Sequence, residues 1–373
     1  MNERLRDAVS YHQGHFPPQN LDYNQFINEL LKAQGALGRF DQMLKTLHNS
    51  EILLAPLRNR EAIMSSRMEG TISTMDEILK YEADHEEGSE DTESGVRSDV
   101  IETLLYRRAL KATQNALEQG YPLSASLIKQ THQLLLSFGR GQTKSPGEYK
   151  TEQNFLADAR KQTILYVPIS PEKLPSAMDQ LFDYIATNTE PDLVRAAVAH
   201  LEFEALHPFK DGNGRIGRML ITLMLWHSNL ISAPHFYISG YFEEHKDEYI
   251  DTMRQVSATG DWHPWCRFFL EAVEAQALSN LEIAQSIREL YEEMKIRFAD
   301  LLSSKWAMST LDFVFTNPVF RNSKLTQIGA STQTASRFSR ILLEEGLLAC
   351  VEEASGSRAA LYSFEPLMRL VRV

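Results

Sequence analysis

The sequence predicts a mostly α fold with one small β-hairpin and a C-terminal winged helix. Apolar residues recur at three- and four-residue spacing over 26–47, 100–117, 181–185, 193–206 and 219–230, the period of helices with a buried face. Before residue 300, the clearest strand-like run is Thr163-Ile164-Leu165-Tyr166-Val167, which Pro168 ends. Beyond 304 come two short helical patterns around a turn, then two strand-like runs flanking Ala354-Ser355-Gly356-Ser357-Arg358. Helix–turn–helix followed by a hairpin is the winged-helix order.

Taken along the chain, the N-terminal part (1–95) is helical, and Thr74 with Glu77 forms a capping box. Between Glu82 and Glu93 stand seven acidic residues in twelve positions. Such a run repels itself, so a solvated loop is expected there. The central part spans 96–280. Ser98 is expected to cap its first helix and Gly120-Tyr121-Pro122 to stop it; Ser124 starts the next, which Gly139 ends. The run 162–167, with 154–157 before it, predicts an isolated hairpin, which in a helical protein suits a functional flap. From Trp262 to about Ser304 breakers are few, predicting one or two long helices, with 281–308 as a helical linker. The winged helix occupies 309–373, with helices expected at 325–330 and 332–345.

At 373 residues the chain has room for two to three domains of about 150 residues. A hydrophobic fraction of 43% and a charged fraction of 24% are those of a globular protein, which excludes collagen-like and wholly disordered classes. The 38 basic against 50 acidic residues leave a net charge of −12, which argues against binding a polyanion along the whole chain. Two cysteines, Cys266 and Cys350, make neither a disulfide framework nor a zinc cluster and suit a reducing compartment. The first twenty residues lack a signal peptide's apolar stretch, and 219–226 falls far short of the roughly 20 residues of a membrane span. A soluble, cytoplasmic protein without membrane contact is expected.

The most informative stretch is His207-Pro208-Phe209-Lys210-Asp211-Gly212-Asn213-Gly214-Arg215-Ile216-Gly217-Arg218, between two helical patterns. Gly-Asn-Gly at a helix N-terminus makes an anion nest, where N–H groups and the helix dipole meet a phosphate. Arg215 and Arg218 are three apart, share a helix face and can grip successive phosphates. Asp211 is placed to hold Mg²⁺ against them, and His207 can exchange a proton near neutral pH. Together these residues describe phosphoryl or nucleotidyl transfer. Gly212, Gly214 and Gly217 also satisfy G-x-G-x-x-G, but a dinucleotide site needs a preceding strand and an acid about twenty residues on, and both are missing.

That twelve-residue stretch resembles, position for position, the His-Pro-Phe-x-Asp/Glu-Gly-Asn-Gly-Arg-x-x-Arg signature of Fic-domain proteins. The resemblance covers about 95–280, including Pro146-Gly147-Glu148-Tyr149 and Gly260-Asp261-Trp262. It implies a Fic-type helical core that transfers AMP from Mg-ATP to a hydroxyl side chain (Ser, Thr or Tyr) of a protein, itself included. By resemblance His207 deprotonates the target hydroxyl and Asp211 binds Mg²⁺. Gly212, Asn213, Gly214, Gly217 and Arg215 hold the α- and β-phosphates, and Arg218 reaches the γ-phosphate. Ser239-Gly240-Tyr241-Phe242 resembles the segment whose tyrosine packs on adenine. The flap 163–167 resembles the hairpin that docks a target segment by strand addition.

Ser65-Ser66-Arg67-Met68-Glu69-Gly70 is the second sharp feature. Ser65 and Glu69 share a helix face, and an acid in the last turn opposes the helix dipole, so Glu69 wants a cation elsewhere. The segment resembles the family's inhibitory motif Ser/Thr-x-x-x-Glu-Gly/Asn, of the class with an N-terminal inhibitory helix. That implies a Glu69–Arg218 pair that keeps the γ-phosphate from its productive place. Two alternatives stand beside adenylylation. One is removal of AMP at the same site, with Glu69 positioning water; the other is a winged-helix transcription regulator whose core senses nucleotide. As a DNA reader the tail would present Ser331, Gln333, Ser336, Arg337 and Arg340. Within 305–373 eight basic residues face six acidic ones, a weak footprint that favours a protein partner or a second copy of this chain. Deletion of 305–373 is then expected to spare auto-modification.

Overall fold

The computed structural model describes residues 8–45, 51–85, 97–158 and 163–372. Within them the N-terminal part runs β1 (Val9–Ser10), α1 (Ile27–Lys45), α2 (Glu51–Met68) and α3 (Met75–Asp84). The central part runs α4 (Ser98–Glu118), α5 (Ala125–Leu135), β2 (Leu156–Asp158), β3 (Thr163–Val167), α6 (Leu174–Thr187), α7 (Asp192–Leu206), α8 (Asn213–His227), α9 (Ser239–Glu244) and α10 (Lys246–Thr259). Then follow α11 (His263–Leu302), α12 (Ala307–Thr316), β4 (Val319–Arg321), α13 (Thr332–Glu344), β5 (Leu348–Glu352), β6 (Leu361–Phe364) and α14 (Glu365–Val371). None of the described helices is long and apolar enough to cross a membrane.

The antiparallel pair α7–α8 sits at the centre. Nearly every position of α7 from Leu193 to Leu206, and all of α8 from Asn213 to Leu225, is buried. Helices buried on every side form the core. The first half of α11 packs against α7 and α1, with Trp265 donating from Nε1 to the Ala197 carbonyl at 2.8 Å.

A single 40-residue helix, α11, spans about 60 Å, and its two halves serve different cores. Trp265 to Ala277 belong to the α7–α8 core. Ala284, Ile287, Met294, Phe298 and Leu302 join a second core with α12, α13, the β4–β6–β5 sheet and α14. Met43, Ile63, Met75, Ile78, Val100 and Leu104 are in that second core as well. The helical linker expected at 281–308 therefore packs into this second core. The C-terminal unit shares its apolar interior with α1 to α4, because α2 and α4 each bury residues on both sides: Leu57, Tyr106 and Ala109 in the first core, Ile63, Val100 and Leu104 in the second.

Several expectations are corrected locally. The hairpin is not isolated: β3 is the middle strand of the order β1–β3–β2, with Val9 opposite Tyr166 and Ser10 opposite Val167 in parallel register. A buried network seats β1 there. His12 reaches Glu202 (2.9 Å) and Ser257 (2.8 Å), and Tyr11 donates to Glu202 (2.6 Å). Thr74 and Glu77 form the expected capping box, and Ser124 caps α5. Ser98 does not cap α4. Arg97 stands at the cap, tied to Glu77 and to the Ile72 carbonyl, so the helix begins one residue early and Ser98 donates to Glu102 instead. The helix expected to run to Gly139 stops at Leu135, and Gly139 opens a 3-10 turn against Glu102. The acidic run begins inside α3, where Glu82 pairs with Arg107 and Asp84 with Arg321 and Arg358; residues 86–93 lie outside the described residues. The helix expected at 325–330 is a 3-10 turn, Asn322–Ile328, ended by Gly329 at φ +86°.

Candidate active site

The α7–α8 connection is built to hold one shape. His207 ends α7 at φ 47°, ψ 62°, a left-handed conformation that costs a non-glycine residue about 1 kcal/mol. Surrounding bonds over-determine it. Asn154 donates from Nδ2 to the carbonyls of His207 (3.1 Å) and Phe209 (3.2 Å). Buried Lys150 donates from Nζ to the Leu206 carbonyl (3.0 Å) and from its backbone N–H to Pro208 (2.8 Å). Asn213 closes the turn both ways: Oδ1 accepts from the Phe209 N–H and Nδ2 donates to its carbonyl, each at 2.8 Å. Gly212, at φ +77°, then turns the chain into α8.

His132 on α5 pins the loop from outside. The Asp211 carbonyl can only accept, so His132 Nε2 carries the proton (2.9 Å), and Nδ1 accepts from the Gly147 N–H (2.8 Å). The ring stacks on Phe209 with centroids 3.8 Å apart. Burial depresses its basicity to about 4, so it is neutral as this bonding demands.

The charged groups divide into two sets. Arg215 is buried, with Nε and Nη1 unpartnered among the described residues and Nη2 3.5 Å from Asp211 Oδ1. Asp211 Oδ1 also accepts from the Gly212 N–H (2.6 Å). Arg218, equally buried, is held by α2. Its Nε donates to Ser65 Oγ (2.9 Å), and its Nη2 donates to the Ser65 carbonyl (2.8 Å) and to Glu69 Oε1 (2.9 Å). Glu69 lies directly over the start of α8: a Cβ added to Gly214 would fall 2.1 Å from Glu69 Oε1 and 2.8 Å from Arg218 Nη1. The carboxylate thus occupies the positive end of the helix dipole.

Electrostatics follow from burial and these neighbours. Burial works against the charged form of Glu69, but Arg218, then Arg215 and His207, outweigh it and hold the carboxyl below the ordinary range. Burial, aided by Lys150, lowers His207 to about 4, so the imidazole is neutral at pH 7 with Nδ1 unpartnered among the described residues. Lys150 is itself lowered by burial to about 7. Such a site offers a neutral base, a cationic slot at a helix N-terminus and two partly exposed acidic side chains, Asp211 and the Arg218-paired Glu69.

Of the residues singled out in the sequence, Ser65, Glu69, Gly214 and Arg218 meet at one end of the site. His207, Asp211, Gly212, Asn213 and Arg215 form the other, with Gly217 packed behind against Glu204 and His200. The Asn213 side chain is spent on Phe209, which leaves its backbone N–H for a ligand. Tyr241 stands apart on α9, stacked on His245 at 4.0 Å. It lines a cavity of about 390 Å³ with Arg60, Met64, Gly240 and Gln276. Glu61 ties that region to α2, accepting from the Ser239 N–H (3.1 Å) and Tyr106 (2.9 Å). Sequence reasoning missed His132, Lys150, Asn154, Glu61 and Glu204. The one available signal was two acids, Glu202 and Glu204, in the largely apolar second half of the helix next to the motif.

Residues 27–115 match the Fic/DOC family N-terminal domain, and residues 122–225 match the Fic/DOC family domain. The protein adenylyltransferase Fic of Nematostella vectensis is 28% identical over 178 residues, which cover 46% of this chain and 38% of that protein. The protein adenylyltransferase fic-1 of Caenorhabditis elegans is 31% identical over 113 residues, 30% of this chain and 21% of that protein. The matches thus span well under half the length of these two relatives. A crystal structure of a Fic family protein from Desulfovibrio desulfuricans G20 superposes with a TM-score of 0.57 over 93% of this chain and 98% of that one. At 18% identity that likeness shows the fold alone.

Proposed function

This chain belongs to the Fic/DOC family, and we propose that it is a nucleotidyltransferase moving AMP from Mg-ATP to a protein hydroxyl, itself included, under restraint by Glu69. The observation that carries the reading is the cationic slot at the start of α8, where Arg215 keeps buried, unpartnered Nε and Nη1 beside a neutral His207. A buried guanidinium left without an acceptor is costly, and phosphate oxygens are the acceptors that fit its fork.

In this reading the triphosphate lies along Gly212–Arg218. His207 takes the proton of the target hydroxyl as its oxygen attacks the α-phosphorus; the bond to the β-phosphate oxygen breaks and pyrophosphate leaves. Among the described residues no group of three or more His, Cys, Asp or Glu side chains forms a metal cage. A partly exposed carboxylate beside a phosphate slot is nevertheless the donor set Mg²⁺ takes when it arrives with a nucleotide. Asp211 would hold it, and the ion would neutralise phosphate charge. Arg218 would orient the γ-phosphate once released from Glu69.

The target would add a strand to β3 over Thr163–Leu165, because β1 already covers Tyr166 and Val167. Tyr241 would pack on the base. We read α12 to α14 as a winged helix whose exposed α13 face, with Gln333, Ser336, Arg337 and Arg340, meets a protein or a second copy of this chain rather than DNA. Removal of AMP is the second reading, favoured by an ionised Glu69 whose side chain is 32% exposed and so open to water. Incubation with ATP labelled in the α-phosphate and Mg²⁺ tests the proposal. Label on the protein that depends on His207 supports it; label released only from a modified target supports the second reading.

A further inference from the structure

The last turn of α2 brings Ser65 and Glu69 to Arg218, so whatever fixes that turn fixes where Glu69 lies. The last four carbonyls of a helix have no partner within it, and at the end of α2 all four are answered. The Ser65 carbonyl accepts from Arg218 Nη2 at 2.8 Å. Those of Ser66 and Arg67 accept from the chain just beyond, from the Thr71 N–H at 3.0 Å and the Gly70 N–H at 2.9 Å. Gly70, at φ +81°, turns the backbone off the helix to make this possible. The fourth carbonyl, that of Met68, accepts from Lys246 Nζ at 2.7 Å.

Lys246 is set against its own helix. It is the first residue of α10, where the dipole presents its positive end and disfavours a cation; the next two residues, Asp247 and Glu248, are the acids that such a position favours. What Lys246 gains comes from α2. Its ammonium stands at the negative end of that helix and donates to a carbonyl there. The Met68 carbonyl and the Glu69 N–H belong to one planar peptide unit. A donor that fixes this plane fixes the backbone from which the Glu69 side chain reaches Arg218. Two side chains from elsewhere in the fold therefore close the end of α2: Arg218, which is buried, and Lys246, which is exposed.

We propose that Lys246 is a positioning residue: by capping α2 at Met68 it keeps Glu69 over the first turn of α8 and paired with Arg218. The proposal rests on the nucleotide-transfer reading with its restraint by Glu69, and adds to it a second holding point, on α10. The side chain of Lys246 bonds to Met68 alone among the described residues. Its loss therefore loosens the restraint and leaves the residues of the phosphate slot in place. The expected sign is unusual for the loss of a supporting contact, because transfer should rise.

The test uses the full chain. Lys246→Met keeps the length of the side chain and removes the donor, whereas Lys246→Arg keeps a cationic donor. Each is made in the parent and in Glu69→Gly, and auto-adenylylation is read in single turnovers with α-labelled ATP and Mg²⁺. An exposed cation at a helix C-terminus shifts an equilibrium by about twofold to fivefold. Lys246→Met should therefore transfer faster than the parent by about that factor, and Lys246→Arg at the parent's rate. In Glu69→Gly no carboxylate remains to be held, so Lys246→Met should change nothing there; a merely structural lysine would lower transfer in both backgrounds. Amide hydrogen exchange over 66–71 reads the cap directly and should quicken in Lys246→Met but not in Lys246→Arg. The inference is overturned if that exchange is unchanged, if Lys246→Met is no faster than the parent, or if it speeds Glu69→Gly equally. If Glu69→Gly itself is no faster than the parent, the restraint reading falls and takes this inference with it.

Discussion

Arg218 Nη2 donates to Glu69 Oε1 at 2.9 Å, across 149 residues of sequence. The guanidinium is almost wholly buried, with a side chain 2% exposed, and its Nε is fixed by Ser65 Oγ. This pair joins the end of α2 to the first turns of α8 and places a carboxylate where the helix dipole and Gly214 leave room for a phosphate.

Release of that pair should turn the protein on. Glu69→Gly frees Arg218 to orient the γ-phosphate, and small misplacement of a reacting group costs on the order of a hundredfold in rate. We expect auto-adenylylation to rise by about that factor, and Arg218→Ala added to Glu69→Gly to remove the gain. Single-turnover labelling reads both. A Glu69→Gly protein no more active than the parent, or one that loses an AMP-removing activity, assigns Glu69 to water positioning instead.

His207→Ala should lower transfer by about a hundredfold to ten-thousandfold, the share a positioned base supplies. ATP affinity should hardly move, because the imidazole meets the hydroxyl and not the phosphates. Equal rates for mutant and parent would remove His207 from the chemistry.

Asp211→Ala should flatten the Mg²⁺ dependence of ATP binding, since the loop offers one carboxylate for the ion. Titrating ATP at several Mg²⁺ concentrations checks this; an unchanged dependence places the ligand elsewhere.

Removal of 305–373 should unfold more than the tail. Phe298, Ile287, Ile63 and Met75 are buried in the core that this deletion opens, so the expectation that deletion spares auto-modification no longer holds. A gentler probe is Arg321→Ala. Arg321 is buried and bridges Asp84 on α3 to Glu352 on β5. Its loss should cost about 3 kcal/mol by stranding Asp84 beside a single remaining partner, Arg358. Urea unfolding measures the loss.

Acid should destabilise the fold early. Burial lowers His200 to about 3, with Arg218 adding, and lowers His207 and His132 to about 4. An unfolded chain binds these protons from about pH 6.5 downward while the folded one does not. The stability these histidines carry is therefore whole above that value and is lost as pH falls toward their folded values. A urea midpoint that does not change between neutral pH and mild acid would contradict this.

The sequence alone determined the helical class, the twelve-residue stretch from His207 to Arg218 and the helix carrying Ser65 and Glu69. These are local matters: helical period, glycines where a turn needs them, and charges at fixed spacing. The Thr74–Glu77 capping box was legible for the same reason, since both bonds lie within one turn. Ser98 was misread because Arg97 is held by Glu77 and Ile72, residues twenty and twenty-five positions away. Only the tertiary structure decided that β1 completes the flap, that His132 and Lys150 lock the loop, and that α11 carries one core into another. It also decided what closes the end of α2. Lys246 stands 178 positions from Met68 and meets its carbonyl only because the start of α10 lies against that turn, and which helices meet is a property no window of sequence contains.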